Sequence, residues 1–254
     1  MALIVLTSVL VALGAGTRSA WSPCGLSMLT SINPISERGR QHRYGVTSAW
    51  FITGAVLGGM TLGLAAAVLA QGVKAAGIGL NVRFMLGASL ALLTLLLDLG
   101  LLGVKLPVIR RQVNERWLDE FRGWFYGVGF GWQIGVGVAT YVMTAAVGLL
   151  VILAALTAQP GTAMAICVLF GLVRGSWVLL TARVRTPEAL RQMLSRLDQL
   201  EEPVRRVVLV LVLGVGTLLA AGVAGWMSAV MLGAGLVLLA QQLIWRPRIS
   251  RPAP

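Results

Sequence analysis

Apolar residues run through this chain in seven long blocks, separated by short stretches that carry nearly all of its charge. A helix rises ~1.5 Å per residue, so crossing a hydrocarbon layer ~30 Å thick takes about 20 residues. The blocks 2–32, 45–70, 83–104, 124–157, 161–181, 205–222 and 226–244 reach or approach that length and predict an all-α, polytopic membrane bundle of six to seven transmembrane helices. Residues 207–240 carry no charge, and only the Ala224-Gly225-Trp226 stretch suggests a turn between two short spans. One long tilted helix is the alternative there. The blocks 2–32 and 124–157 are too long for straight spans, since 34 helical residues would extend ~51 Å. Each is expected to be bent, tilted or broken.

Composition strengthens this reading, because 254 residues that are 57% hydrophobic and 12% charged hold more apolar side chain than one soluble core buries. The net charge of +12 would suit nucleic acid, but the basic residues fall in alternate loops. Arg38, Arg40 and Arg43 follow the first block, and Lys105, Arg110, Arg111, Arg116 and Arg122 follow the third. Arg183, Arg185, Arg191, Arg196, Arg205 and Arg206 follow the fifth, and Arg246, Arg248 and Arg251 the seventh. These are 17 of the 21 basic residues, against Lys74 and Arg83 in the opposite loops. The positive-inside bias then predicts a bacterial cytoplasmic (inner) membrane protein with its N-terminus outside and its C-terminus cytoplasmic. Nucleic acid is excluded as a partner. The start of the chain lacks the Lys or Arg of a removable signal, so 2–32 is read as a span; removal near Ala20 would leave Cys24 near the outer face.

Two basic segments predict helices lying along the membrane surface. In 187–202, Leu190, Met193, Leu194, Leu197 and Leu200 recur at helical spacing behind Thr186 as N-cap and Pro187. In 110–122, Val113, Trp117 and Phe121 do the same among arginines. No stretch is left for a soluble catalytic domain.

The chemical inventory is two Cys, one His and nine acids. His42 stands alone in a basic loop, so no metal site of ordinary Cys/His composition is expected, and no cofactor either. Gly127-Val128-Gly129-Phe130-Gly131 follows no strand and is not a nucleotide loop. Gly123, Gly127, Gly131 and Gly135 instead recur every four residues, a stripe that lets another backbone approach closely. Gly54/Gly58, Gly59/Gly63 and Gly171/Gly175 repeat the spacing.

Trp21-Ser22-Pro23-Cys24-Gly25 interrupts the first block. Pro23 removes a backbone donor and breaks the helix, and the freed carbonyls must face protein or water. Cys24 would then border a polar pocket, where Arg18 supplies positive charge suited to a thiol that exchanges disulfides. Cys24, Pro23 and Arg18 are the candidate catalytic residues, with Cys167 as the sole other thiol. Asp98 and Arg174 lie within spans, where charge is costly and paired or cavity-facing. Either Arg174 snorkels and Asp98 answers a cytoplasmic arginine, or the two pair along a translocation path lined by Gln133, Thr140, Tyr141 and Thr144.

Ser22-Pro23-Cys24 in a broken first span, followed by a basic loop and a glycine-rich second span, resembles the cytochrome c biogenesis transmembrane family (CcdA and the membrane core of DsbD). The run from Trp21 to Thr30 is more similar still to its methylamine-utilisation (MauF) branch. The resemblance implies two inverted three-helix repeats within a single membrane domain, about 1–104 and 123–222, with an additional helix at about 226–244. It also implies a Pro-Cys in each repeat passing reducing equivalents from cytoplasmic thioredoxin to outside thiol proteins. This chain departs from that pattern: aligning Trp21 with Trp132 puts Gly135 opposite Cys24, so the partner thiol is missing.

Three functions fit these observations. One is a thiol-redox or maturation protein acting through Cys24 on a thioredoxin-like or periplasmic client. Another is a small-molecule or ion transporter using Asp98 and Arg174. The third is a non-catalytic membrane subunit packed through its glycines in a homo- or hetero-oligomer.

Overall fold

Ser22 and Pro23 do end the first helix. The structure, a computed structural model, describes residues 1–101, 122–137 and 144–245, with side chains as far as Val237. Helix α1 (Ala2–Arg18) tightens into a 3-10 turn at Ser19–Trp21 before the chain becomes extended at Ser22. The Ser22 hydroxyl accepts from the Gly25 N–H at 3.1 Å and donates to the Ser19 carbonyl at 2.7 Å, so one side chain closes both helix ends. Pro23 opens α2 (Pro23–Ser31), where its missing N–H costs nothing. Asn33 and Pro34 repeat the device for α3 (Pro34–Gly39): the Asn33 side chain accepts from the Ile35 and Ser36 N–H groups at 3.0 Å.

Helices α4 (Tyr44–Ala75) and α5 (Leu80–Leu99) follow, with Gly100 taking the left-handed conformation that caps α5. The 124–157 block is broken as its length demands: α6 (Gly123–Val136) stops at Gly137, whose φ of 75° favours glycine, and α7 (Ala146–Leu156) completes the crossing. Then come α8 (Pro160–Ser176), prolonged as a 3-10 segment to Arg183, α9 (Pro187–Ala221) and α10 (Gly225–Trp245). No strand occurs among the described residues. The chain is an all-α polytopic bundle. Five helical stretches have the length and apolarity of membrane spans, and α7 and α10 add shorter apolar ones.

One expectation changes. The segment 187–202 is not a separate surface helix: it is the first half of α9, which runs unbroken for 35 residues through Pro203. A proline forfeits one bond, to the Gln199 carbonyl, and the apolar stripe on each side of it is anchored in the core by Leu197 and Val208. In the uncharged 207–240 stretch the expected two helices and turn are found: α9 ends at Ala221 and α10 turns back against it. The stripe at 110–122, apart from Arg122, the basic tail and the polar positions Thr140 and Tyr141 lie outside the described residues.

The glycine stripes seat α4 between α6 and α8. A Cβ on Gly131 would meet the Phe51 carbonyl, one on Gly54 the Val128 carbonyl, and one on Gly171 the Ala55 carbonyl. Large apolar side chains such as Leu64, Val68, Val82 and Val207 remain exposed on the outer surface, as lipid contact requires. The buried core divides in two. A larger cluster holds Val11, Leu62, Leu95, Leu150, Cys167 and Val212. A second one, at the end that carries the basic loops, holds Trp21, Cys24, Phe51, Tyr126, Val178 and Leu197.

Candidate functional site

Cys24 is the second residue of α2, one position past the proline, and only 1% of it is exposed. Three features of the fold enclose it. Trp21 stands edge-on to Trp177, with ring centroids 5.7 Å apart, and its indole N–H donates to the Leu197 carbonyl at 2.8 Å. This last contact pins the first half of α9 over the helix break. On the other side, the Thr181 hydroxyl donates to the Ile32 carbonyl at 3.0 Å and the Tyr44 hydroxyl to the Val178 carbonyl at 2.8 Å, tying the 3-10 extension of α8 to the end of α2 and the start of α4.

The positive charge beside Cys24 comes from Arg174, not from Arg18. Arg174 is buried on α8, close enough to Cys24 to interact electrostatically, with its guanidinium 5.9 Å from the Phe170 ring centroid. Arg18 sits one turn too early and reaches instead to Glu201 on α9, at 3.4 Å. The sulfur therefore lies at a helix N-terminus beside a buried guanidinium, two arrangements that suit a nucleophilic thiol. Cys167 does not complete a pair. Both cysteines are free and belong to different halves of the core. Gly135, opposite Cys24 in the repeat alignment, faces the Ala55 backbone so closely that no side chain fits there.

Asp98 and Arg174 go to different neighbourhoods, which corrects the pairing expected as one alternative. Asp98, near the end of α5, accepts from the Thr144 hydroxyl at 2.5 Å and from the Ala145 N–H at 2.7 Å. Arg205 donates to its main-chain carbonyl at 3.3 Å. With Arg18, Val208 and Leu209 these residues line a small cavity of about 30 Å³, into which Arg18 turns a guanidinium nitrogen, Nη1, without a hydrogen-bond partner. Gln133 is half-buried on α6, apart from this cluster, and the neighbouring Trp132 donates to the Thr61 hydroxyl at 3.0 Å.

A third group escaped the sequence reading. Glu37, in a loop of arginines, is fully buried. Its carboxylate accepts from the Tyr126 hydroxyl at 2.6 and 2.7 Å and from the Thr47 hydroxyl at 2.5 Å, with Arg40 at 3.5 Å and His42 at 4.0 Å. The signal available was Asn33-Pro34, a helix start that tucks Glu37 inward. Tyr126 is 89 residues away, so nothing local marks it as the partner. No group of three metal-ligating side chains occurs among the described residues.

The chain is similar to proteins that carry the name MauF. The chain is 30% identical over 155 residues to the methylamine utilization protein MauF of Methylorubrum extorquens, covering 59% of this chain and 53% of that protein. It is 34% identical over 171 residues to MauF of Paracoccus denitrificans, covering 64% and 59%, and 26% identical over 170 residues to MauF of Paracoccus versutus, covering 65% and 61%. The chain thus spans less than two thirds of the length of the curated relatives it matches. No family model matches, and no solved structure does.

Proposed function

We propose that the chain is a membrane accessory protein in the maturation of an exported redox enzyme, of the kind the MauF name associates with methylamine utilization, and that it works by thiol–disulfide exchange at Cys24. The observation that carries this reading is the sulfur at the N-terminus of α2, at a hinge made by Ser22 and Pro23, with Arg174 beside it. In the exchange, the Cys24 sulfur attacks a client disulfide and one client sulfur leaves as a thiolate that takes up a proton. A client thiol then displaces Cys24, releasing it reduced, so one thiol suffices and the chain undergoes no net oxidation. Cys24 lies in the half of the bundle that bears the basic loops. The break at Ser22-Pro23 and the interruption at Gly137 provide the two joints that an inverted-repeat bundle needs to present the thiol to the other face.

With inserted protein held at equal levels, Cys24→Ser is expected to abolish maturation of the exported enzyme, whereas Cys167→Ser leaves it intact. Undiminished maturation with serine at 24 refutes the reading. A second reading, a small-molecule or ion transporter, is favoured by the buried Asp98, Arg18 and Arg205 cavity. Under it, Asp98→Asn abolishes solute uptake while Cys24→Ser does not.

A further inference from the structure

At the basic end of the bundle, α4 and α6 begin side by side, and between their first turns opens a cavity of about 570 Å³. Its polar wall is Gln41, His42, Arg43 and Arg122, and its apolar wall is Trp50, Trp124 and Val46. We propose that this cavity binds the phosphate headgroup of an anionic membrane phospholipid, with the acyl chains running along the two tryptophans.

Four observations converge on that chemistry. Arg43 and Arg122 are the residues immediately preceding α4 and α6, so two cations stand at the positive ends of two helix dipoles. Their carbonyls accept from the first turns of α4 and α6, while neither guanidinium has a hydrogen-bonding or ion-pair partner among the described residues. His42 lines the cavity as well, with its ring nitrogen Nδ1 buried 4.0 Å from the Glu37 carboxylate. Its ring is held in place by the Tyr126 ring, with centroids 6.0 Å apart, and by its own N–H, which donates to the Glu37 carbonyl at 2.8 Å. The nearby negative charge, Glu37, is not free to repel an anion: it is buried behind the wall, where Arg40 and the Tyr126 and Thr47 hydroxyls already meet it.

The apolar half argues for a lipid over a soluble phosphate ester. Trp50 and Trp124 are 42% and 51% exposed, with ring centroids 6.4 Å apart, and lie just beyond the arginines along the membrane-crossing direction. An aromatic pair beneath a basic ring is the arrangement of a headgroup level, and basic pockets between membrane helices take up anionic headgroups. A dissolved phosphate ester would leave that pair without purpose.

The test is native mass spectrometry of the full-length protein titrated with phosphatidylglycerol, phosphatidylcholine or glycerol 3-phosphate. The expected result is preferential binding of phosphatidylglycerol, weakened about fivefold by Arg43→Gln or Arg122→Gln and about thirtyfold by both, from the usual contribution of a basic residue near an anionic surface. Lysine at both positions should restore most of the preference. Arg183→Gln with Arg185→Gln, on the same end outside the cavity, should keep it, which separates the pocket from the general charge of that face. Equal binding of phosphatidylcholine, a double glutamine variant that folds and retains the preference, or glycerol 3-phosphate binding as tightly as the lipid would each overturn the proposal.

Discussion

The glycine stripe of α6 offers a graded test of how this bundle is held together. An added Cβ at Gly123 would lie 3.4 Å from the His42 ring and the Thr47 hydroxyl, an ordinary contact. At Gly127 it would lie 3.2 Å from the Thr47 carbonyl and the Trp50 Cβ, tight by a few tenths of an ångström. At Gly131 and Gly135 it would fall on the main chain of Phe51 and Ala55, which cannot rotate away as a side chain can. Alanine recovers about 0.5–1 kcal/mol of intrinsic helix preference at every position, while overpacking a close seam costs about 1–3 kcal/mol or more. Gly123→Ala should therefore be neutral or slightly stabilising and Gly127→Ala close to neutral. Gly131→Ala and Gly135→Ala should each lose about 1–2 kcal/mol, which at this chain length lowers the melting temperature by roughly 2–8 °C. Gly148→Ala, in open space on α7, serves as the stabilising control. Tryptophan-fluorescence melting of the five variants in one detergent reads the series. If Gly131→Ala melts with the wild type, or if Gly123→Ala is as damaging as Gly135→Ala, the α4–α6 seam is not where the structure puts it.

Other perturbations follow from the same geometry. Glu37→Ala strips the acceptor from Tyr126, Thr47 and Arg40 at once and should cost about 3–5 kcal/mol in thermal unfolding; Tyr126→Phe, which removes one donor, should cost about 1.5–3. Asp98→Ala leaves the Thr144 hydroxyl and the Ala145 N–H without their acceptor and removes the negative charge that faces Arg205 and Arg18, and should destabilise by a similar ~3–5 kcal/mol, with Asp98→Asn milder in the same assay. Trp21→Phe deletes the bond to the Leu197 carbonyl, worth about 1 kcal/mol, and so should raise the rate of Cys24 alkylation about fivefold by mass spectrometry without altering that of Cys167.

What could be read from the sequence was whatever backbone chemistry dictates locally. A proline behind a serine inside an apolar block breaks a helix wherever it lies, so the Ser22-Pro23 joint needed no tertiary knowledge. Glycines four apart mark a close seam for the same reason, although which helix fills the seam does not follow. The partners of charged side chains were not legible, because each is chosen by long-range packing. Arg18 was the expected neighbour of Cys24, and the turn between Arg18 and α2 decides that it goes to Glu201 while Arg174 lies near the thiol. Glu37 lies among arginines in the sequence with nothing to single it out, and only the approach of α6 buries it against Tyr126. That α9 continues through Pro203 likewise depends on tertiary packing, since Leu197 before it and Val208 after it are both buried.

Acid-quenched thiol alkylation in native membranes, resolved on non-reducing gels beside Cys24→Ser and Cys167→Ser, tests the proposed exchange chemistry most directly. The account predicts a higher-mass mixed disulfide that disappears with Cys24→Ser and persists with Cys167→Ser. A Cys24 that stays reduced, alkylates slowly and forms no crosslinked species would contradict it.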